Sequence, residues 1–140
     1  MSRLEPMFVG IVFSHLAVVL AHSMAHAGLQ VVPDTANAVF IVSVIMVAPV
    51  ATLPILWFYR LAAAVLLAVT MVASLAYGLE GHFLAPGPDR VALVESNPWA
   101  FLFVATAALL GTLELVAVFV AAFLFREEVR IPSGPSEPSP

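Results

Sequence analysis

The sequence predicts an all-α integral membrane protein built as a four-helix bundle. Of its 140 residues, 62% are hydrophobic and only 10% are charged, whereas soluble domains are about 45–50% apolar and about 25% charged. Apolar stretches recur four times along the chain, and a helix that crosses a bilayer needs about 20 mainly apolar residues. The polar stretches between them are short, so the helices must form the body of the protein.

The second and third apolar spans need the most justification, because they nearly touch. Residues 36–79 are too long for one crossing at about 1.5 Å per residue, so the chain must turn within them. Pro49 and Pro54 are expected to kink or end the second helix, and Trp57 and Tyr59 suit the headgroup layer. We therefore predict spans at residues 7–27, 36–58, 61–79 and 99–125.

The chain divides into a membrane domain, residues 1–126, and a C-terminal tail, residues 127–140. The tail is rich in Pro, Ser and Gly, a composition that does not support a packed core. We expect it to be disordered.

The arginines predict the orientation in a cell membrane. Cytoplasmic loops carry an excess of basic residues. Only Arg90 lies on one side of the predicted bundle, and the other side carries four arginines: Arg3, Arg60, Arg126 and Arg130. Both termini are therefore predicted to be cytoplasmic, and the loops around Pro33 and at residues 80–98 face outward.

The N-terminus also allows an alternative interpretation, a cleaved signal peptide. Arg3, the apolar run at residues 7–21 and the Ala25-His26-Ala27 sequence imitate its three regions. Cleavage would leave three spans. His15, in the middle of the apolar run, argues against it.

Three histidines in the first span are the main functional signal. His15, His22 and His26 are spaced by seven and four residues, so they lie within about 40° of one another around a helix. Ionisable side chains are costly in hydrocarbon and usually face the bundle interior. The stripe therefore predicts an internal polar site.

Depth along the helices pairs His15 with Glu114, the one carboxylate of the fourth span. Counting 1.5 Å per residue from the span centres puts both near the membrane midplane. A proton relay and a simple interhelical hydrogen bond that fixes the register both fit this pair.

The same counting predicts a second cluster nearer the outer face. The i,i+4 spacing of His22 and His26 puts two imidazoles on one face, as a metal site requires, and the end of the third span supplies further ligands. The predicted ligands are His22, His26, Glu80 and His82, with Tyr77 and Asp89 as groups that orient them.

The cofactor and the function stay open between several alternatives. A transition metal (Zn, Cu or Fe) and haem b both use histidine ligands, and histidine-bearing four-helix bundles among haem-binding membrane subunits offer a fold-level analogy. The histidines also fit plain helix-to-helix hydrogen bonds in a non-catalytic accessory subunit of a respiratory or transport complex. A small oligomeric transporter is a third alternative, although no inverted repeat is visible.

Composition excludes other classes of function. The chain has no Cys, which removes disulfides, thiolate metal sites and iron–sulfur clusters. The net charge is -4, and nothing resembles a nucleic-acid surface. The expected partners are the lipid bilayer and other membrane subunits or further copies of the chain, and a non-enzymatic role is favoured over an enzymatic one.

Overall fold

A computed structural model describes residues 4–94 and 96–130, and over these ranges the chain is helical with short connections. Four helices are long and apolar enough to cross a membrane: α1 Leu4–Gly28, α2 Thr35–Phe58, α3 Arg60–Leu84 and α4 Pro98–Val129. Because hydrocarbon offers no hydrogen-bond partners, a spanning segment must pair its own backbone amides and carbonyls, and a helix does so. The prediction of an all-α chain with four such helices is confirmed.

All four helices extend beyond the predicted spans, and the largest extensions are at the ends of α3 and α4. The last turn of α3 is a π-helix, Glu80–Leu84, closed by a hydrogen bond from the Ala85 amide to the Glu80 carbonyl at 2.7 Å. Polar residues alone do not stop a helix, and the following Pro86 disfavours its continuation. α4 continues to Val129, and the rest of the predicted tail, residues 131–140, lies outside the described residues.

Side-chain caps begin α2 and α4. The Asp34 carboxylate accepts a hydrogen bond from the Asn37 backbone amide at 2.9 Å, and the Asn97 side chain accepts one from the Trp99 amide at 2.6 Å. Such caps satisfy amides that have no partner inside the helix. Pro54 lies inside α2 without ending it, and the break before α3 comes at Tyr59, which leaves the helical conformation.

A left-handed residue, Gln30, ends α1. Its φ is 58°, and its amide donates to the Ala27 carbonyl at 3.1 Å while the Val31 amide donates to the His26 carbonyl at 3.0 Å. This pair of bonds is the Schellman arrangement of a helix C-terminus. This turn brings the Val31 carbonyl oxygen to 3.3 Å from the His26 Nδ1 atom.

The helices pack unevenly around the bundle. α4 packs along both α1 and α3, and α2 packs mainly on α3 with few contacts to α1. One half of the bundle is filled by a continuous apolar core made of Phe8, Val12, Leu56, Ala63, Ala64, Leu67, Met71, Ala117, Val120, Ala121 and Leu124. The buried histidines lie beyond this core, in the other half.

An ion-pair network closes the end of the bundle next to the apolar core. The Arg60 guanidinium lies 3.2 Å from a Glu5 carboxylate oxygen, 2.9 Å from one of Glu128 and 3.8 Å from one of Glu127. It links the starts of α1 and α3 to the end of α4. This is the end that we predict to be cytoplasmic, and the orientation stays a prediction.

Candidate metal centre

Three histidines from two helices converge at one point. His22 and His26 lie one turn apart near the end of α1, and His82 comes from the π-helical turn of α3. The His22 Nε2 atom lies 3.1 Å from His82 Nε2 and 3.2 Å from His26 Nε2. Each side chain therefore turns the same ring nitrogen toward a common centre.

An aromatic ring from α4 supports the three imidazoles from one side. The Phe103 ring is fully buried, and its centroid lies 5.0 Å from those of His22 and His26 and 5.2 Å from that of His82. It stacks on His22 and meets the other two rings at steep angles. Packing of this kind limits the rotamers that the ligands can adopt.

The hydrogen-bond network around His22 assigns its ring proton to Nδ1. It lies 2.8 Å from the Thr106 hydroxyl oxygen, and that hydroxyl donates its own proton to the Leu102 carbonyl at 2.6 Å. The Thr106 oxygen is left as an acceptor, so the His22 Nδ1–H donates to it. In a neutral imidazole, Nε2 then bears a lone pair.

The other two imidazoles also carry their ring proton on Nδ1. His26 Nδ1 lies 3.3 Å from the Val31 carbonyl oxygen, and His82 Nδ1 lies 3.0 Å from the Asp89 carbonyl oxygen. A carbonyl oxygen only accepts hydrogen bonds, so both Nδ1 atoms are donors. Their Nε2 atoms, like that of His22, present lone pairs to the shared centre.

Three lone pairs that face one another can bind a cation between them. Nitrogen atoms around a tetrahedral metal with bonds of about 2.0–2.1 Å are about 3.3 Å apart, close to the separations seen here. Ligating histidines also characteristically donate their other ring N–H to an oxygen atom, as all three do. The geometry is compatible with a three-histidine metal site.

Asp89 adds a carboxylate next to the cluster. Its Oδ1 atom lies 3.6 Å from His26 Nδ1 and is buried without a hydrogen bond from the described residues. A buried carboxylate oxygen that lacks a partner is costly, and a positive charge close to it would offset that cost. The negative charge of Asp89 therefore favours a cation at the centre.

A cavity of about 310 Å³ opens on the other side of the three imidazoles. All three histidines line it, together with Tyr77 and side chains of all four helices, whereas Phe103 is not part of its wall. A metal held by three Nε2 atoms would therefore have its free coordination position toward this cavity. Catalytic zinc sites likewise keep one position open.

A second polar group lies deeper along the same helices. His15 Nε2 lies 3.3 Å from Glu114 Oε1, and the Ser74 hydroxyl also donates to that oxygen. All three side chains are buried. His15 with Glu114 and His22 with Thr106 thus form two successive polar contacts between α1 and α4.

The structure brings most of the predicted site residues together. His22, His26 and His82 meet as described, and Asp89 lies beside them. Glu80 does not join them: its side chain is exposed, because residues two apart on a helix point to different faces. Tyr77 lines the cavity and packs on Phe40 with ring centroids 5.0 Å apart.

Three further residues of the site were not predicted. Thr106, Phe103 and Ser74 support the two polar clusters. Depth counting could have identified Thr106, because it lies eight residues, or about 12 Å, before Glu114 and so near the level of His22. No pattern in the sequence marks Phe103 among ten phenylalanines.

The haem alternative finds no support in this geometry. Two axial ligands must lie on opposite faces of the haem macrocycle, whereas the His26 and His82 Nε2 atoms lie 3.1–3.2 Å from that of His22, which leaves no room for a macrocycle between them.

No protein-family model, no curated protein and no solved structure matches the chain.

Proposed function

We propose that the protein is a metal-binding membrane protein that holds one divalent transition-metal ion near the outer face of the cell membrane. His22, His26 and His82 are the ligands through Nε2. The observation that carries the proposal is the convergence of three Nε2 lone pairs whose Nδ1–H groups all donate to oxygen atoms. Imidazole ligands suit zinc, copper, iron and nickel, and the absence of Cys excludes thiolate ligation.

The open coordination position determines which chemistry a bound metal ion would supply. A metal ion in such a site acts as a Lewis acid toward an oxygen or nitrogen atom that reaches it from the cavity. The chain's own residues hold the imidazoles in one tautomer, supply a negative charge through Asp89 and cover one side of the site with Phe103. These features support a site that binds a further molecule at the metal.

The test is the metal content of protein purified from native membranes in mild detergent. We expect about one transition-metal ion per chain. His22→Ala, His26→Ala and His82→Ala should each lower the metal content or weaken its affinity by about a hundredfold or more, since a loss of supporting groups alone costs about ten- to a hundredfold.

The fourth histidine provides the matched control. His15 is buried in the same helix but contacts Glu114 instead of the cluster, so His15→Gln should keep the metal. Equal metal content in all four folded variants, or none in the folded wild-type protein supplied with metal, would overturn the proposal.

A further inference from the structure

The cavity beside the three imidazoles extends to the second polar cluster. Its wall contains the three histidines at one end and Glu114 with Ser74 at the other. Between these ends the wall is mostly apolar, formed by Val19, Ile41, Ile45, Met46, Leu75, Leu110 and Gly111. An apolar chamber with a few polar groups at fixed positions is the usual form of a small-molecule site.

Glu114 offers an unused oxygen to that chamber. Both of its hydrogen bonds, from His15 and Ser74, use Oε1. Oε2 makes no hydrogen bond with the residues in 4–94 and 96–130, and Glu114 lines the cavity. A hydroxyl group suits such a carboxyl oxygen, because a hydroxyl both donates and accepts a hydrogen bond.

The chamber ends at Glu114 and does not continue through the bundle. Ala117, Val120, Ala121 and Leu124, the next buried positions of α4, belong to the packed apolar core. A path for ions would need polar or open space through this half of the bundle. The cavity therefore has the form of a pocket with one closed end.

The part of the cavity wall that α2 forms contains an irregular helical segment. Residues Ile41–Val47 form a π-helix, and Ile41, Val42, Ile45 and Met46 of this segment line the cavity. π-Helical turns occur frequently at functional sites. Because α2 has few contacts with α1, the pocket is bordered by the most loosely packed pair of neighbouring helices, which suits a ligand that enters from the lipid.

The distance between the two polar ends limits the size of the ligand. His15 and His22 are seven residues apart, which is about 10 Å along the helix. A metal bond of about 2 Å and a hydrogen bond of about 2.8 Å occupy part of this length. About 5–6 Å is left between the two polar atoms of the ligand, which matches two oxygen atoms bonded at opposite positions of one six-membered ring.

We propose that this cavity binds a small, membrane-soluble one-ring molecule with an oxygen atom at each end. One oxygen coordinates the metal held by His22, His26 and His82, and the other, a hydroxyl, bonds to Glu114. The inference rests on the proposed metal site and adds the class of molecule that reaches it. The apolar wall selects an uncharged ring, and the two polar ends select its para-related oxygens.

The test uses Co²⁺ as the metal, because its visible absorption reports a change of ligand. Co²⁺-loaded protein in detergent is titrated under argon with 1,4-dihydroxybenzene and, separately, with phenol. We expect both to change the spectrum, with the two-oxygen molecule binding about tenfold more tightly, as a hydrogen bond to a carboxylate allows. Glu114→Gln should reduce this preference and keep the Co²⁺ spectrum.

A cavity-filling variant separates pocket binding from binding elsewhere. A Cβ atom at Gly111 meets only Leu75 Cδ1 at 3.7 Å, so Gly111→Leu places its side chain in the cavity without touching a metal ligand. It should retain Co²⁺ and lose the response to 1,4-dihydroxybenzene. Gly10→Leu is the control, since a Cβ there meets nothing within 4 Å and Gly10 is not part of the cavity wall.

The two proposals fail in different ways. No Co²⁺ spectrum in folded protein contradicts the metal site. A Co²⁺ spectrum that does not change when 1,4-dihydroxybenzene is added contradicts the proposed ligand but not the metal site. Equal affinity for phenol and 1,4-dihydroxybenzene overturns the role of Glu114, and an unchanged response in Gly111→Leu overturns the location.

Discussion

The Nε2 atoms of His22 and His82 lie 3.1 Å apart, although 60 residues separate the two side chains in the sequence. Both rings present this nitrogen because their Nδ1 atoms are held by Thr106 and by the Asp89 carbonyl. A contact between two hydrogen-bond acceptors has no stabilising energy of its own. This contact is therefore the basis of our proposal that a metal ion binds between the nitrogens.

Thr106 should affect metal affinity without being a ligand. Thr106→Val keeps the shape of the side chain and removes the oxygen that accepts from His22 Nδ1–H. We expect metal affinity to fall by about ten- to a hundredfold, the usual effect of losing such a supporting group, as measured by competition with a chelator.

Thr112→Val is the matched control for this substitution. Thr112 lies on the same helix, and among the residues that the structure describes its exposed hydroxyl bonds only to the Ala108 carbonyl of its own helix. Its loss should leave the metal affinity unchanged. The same loss of affinity in both variants would show that Thr106 acts through helix stability and not through His22.

Gly28 should be intolerant of any side chain. A Cβ atom there would overlap the indole ring of Trp99, which lies across the end of α1 at the start of α4. Gly28→Ala should therefore displace Trp99, lower the thermal stability in detergent and weaken metal binding. The shift of Trp99 is measured by tryptophan fluorescence, with Trp57→Phe as the background because Trp57 is the only other tryptophan.

Gly10→Ala should behave in the opposite way. Apart from the backbone of its own helix and its two chain neighbours, no described residue lies within 4 Å of a Cβ at Gly10, and alanine is favoured over glycine inside a helix by about 1 kcal/mol. Its stability should be equal to or above that of the wild type. A matching loss of stability in both glycine variants would contradict the close approach of Gly28 and Trp99.

His15 and Glu114 should be coupled energetically and dispensable for metal binding. Their contact links α1 to α4 at 3.3 Å, and polar contacts of this kind in membrane proteins contribute about 0.6–2 kcal/mol. A double-mutant cycle with His15→Leu and Glu114→Leu, measured by unfolding in detergent, should give a coupling energy in this range. Additive losses, or loss of the metal in the His15 variant, would contradict the separation of the two clusters.

Single cysteines should report the predicted orientation cleanly, because the chain has none of its own. Ser96, in the connection before α4, and Glu127, near the end of α4, are both exposed. A membrane-impermeant maleimide should label Ser96→Cys in intact cells and Glu127→Cys only after permeabilisation. The reverse pattern would invert the bundle and place the metal site at the inner face.

The sequence predicts the helices well because the bilayer leaves few alternatives. A spanning segment must be apolar, helical and about 20 residues long, so the four spans follow from composition. The end of α3 is the main difference, since the π-helical turn at Glu80–Leu84 continues a helix through a Gly and two ionisable residues. Helix boundaries depend on such local hydrogen bonds, which composition does not reveal.

The candidate site is predictable only in part. The 100° rotation per residue and the rise along the helix put His22 and His26 on one face and place His15 opposite Glu114. They do not give the direction of a side chain from a loop, so the sequence predicts the position of Asp89 only approximately. The contact of Phe103 with all three imidazoles depends on the rotation of α4 against α1, which only the packing determines.

The most direct test of the central claim is an X-ray absorption spectrum at the metal edge of the purified, metal-loaded protein. We expect about three imidazole nitrogen atoms at about 2.0–2.1 Å, together with one oxygen ligand from the cavity, and the loss of this signal in a His22→Ala, His82→Ala double variant. An oxygen-only coordination shell, or a three-imidazole signal that survives in the double variant, would contradict it.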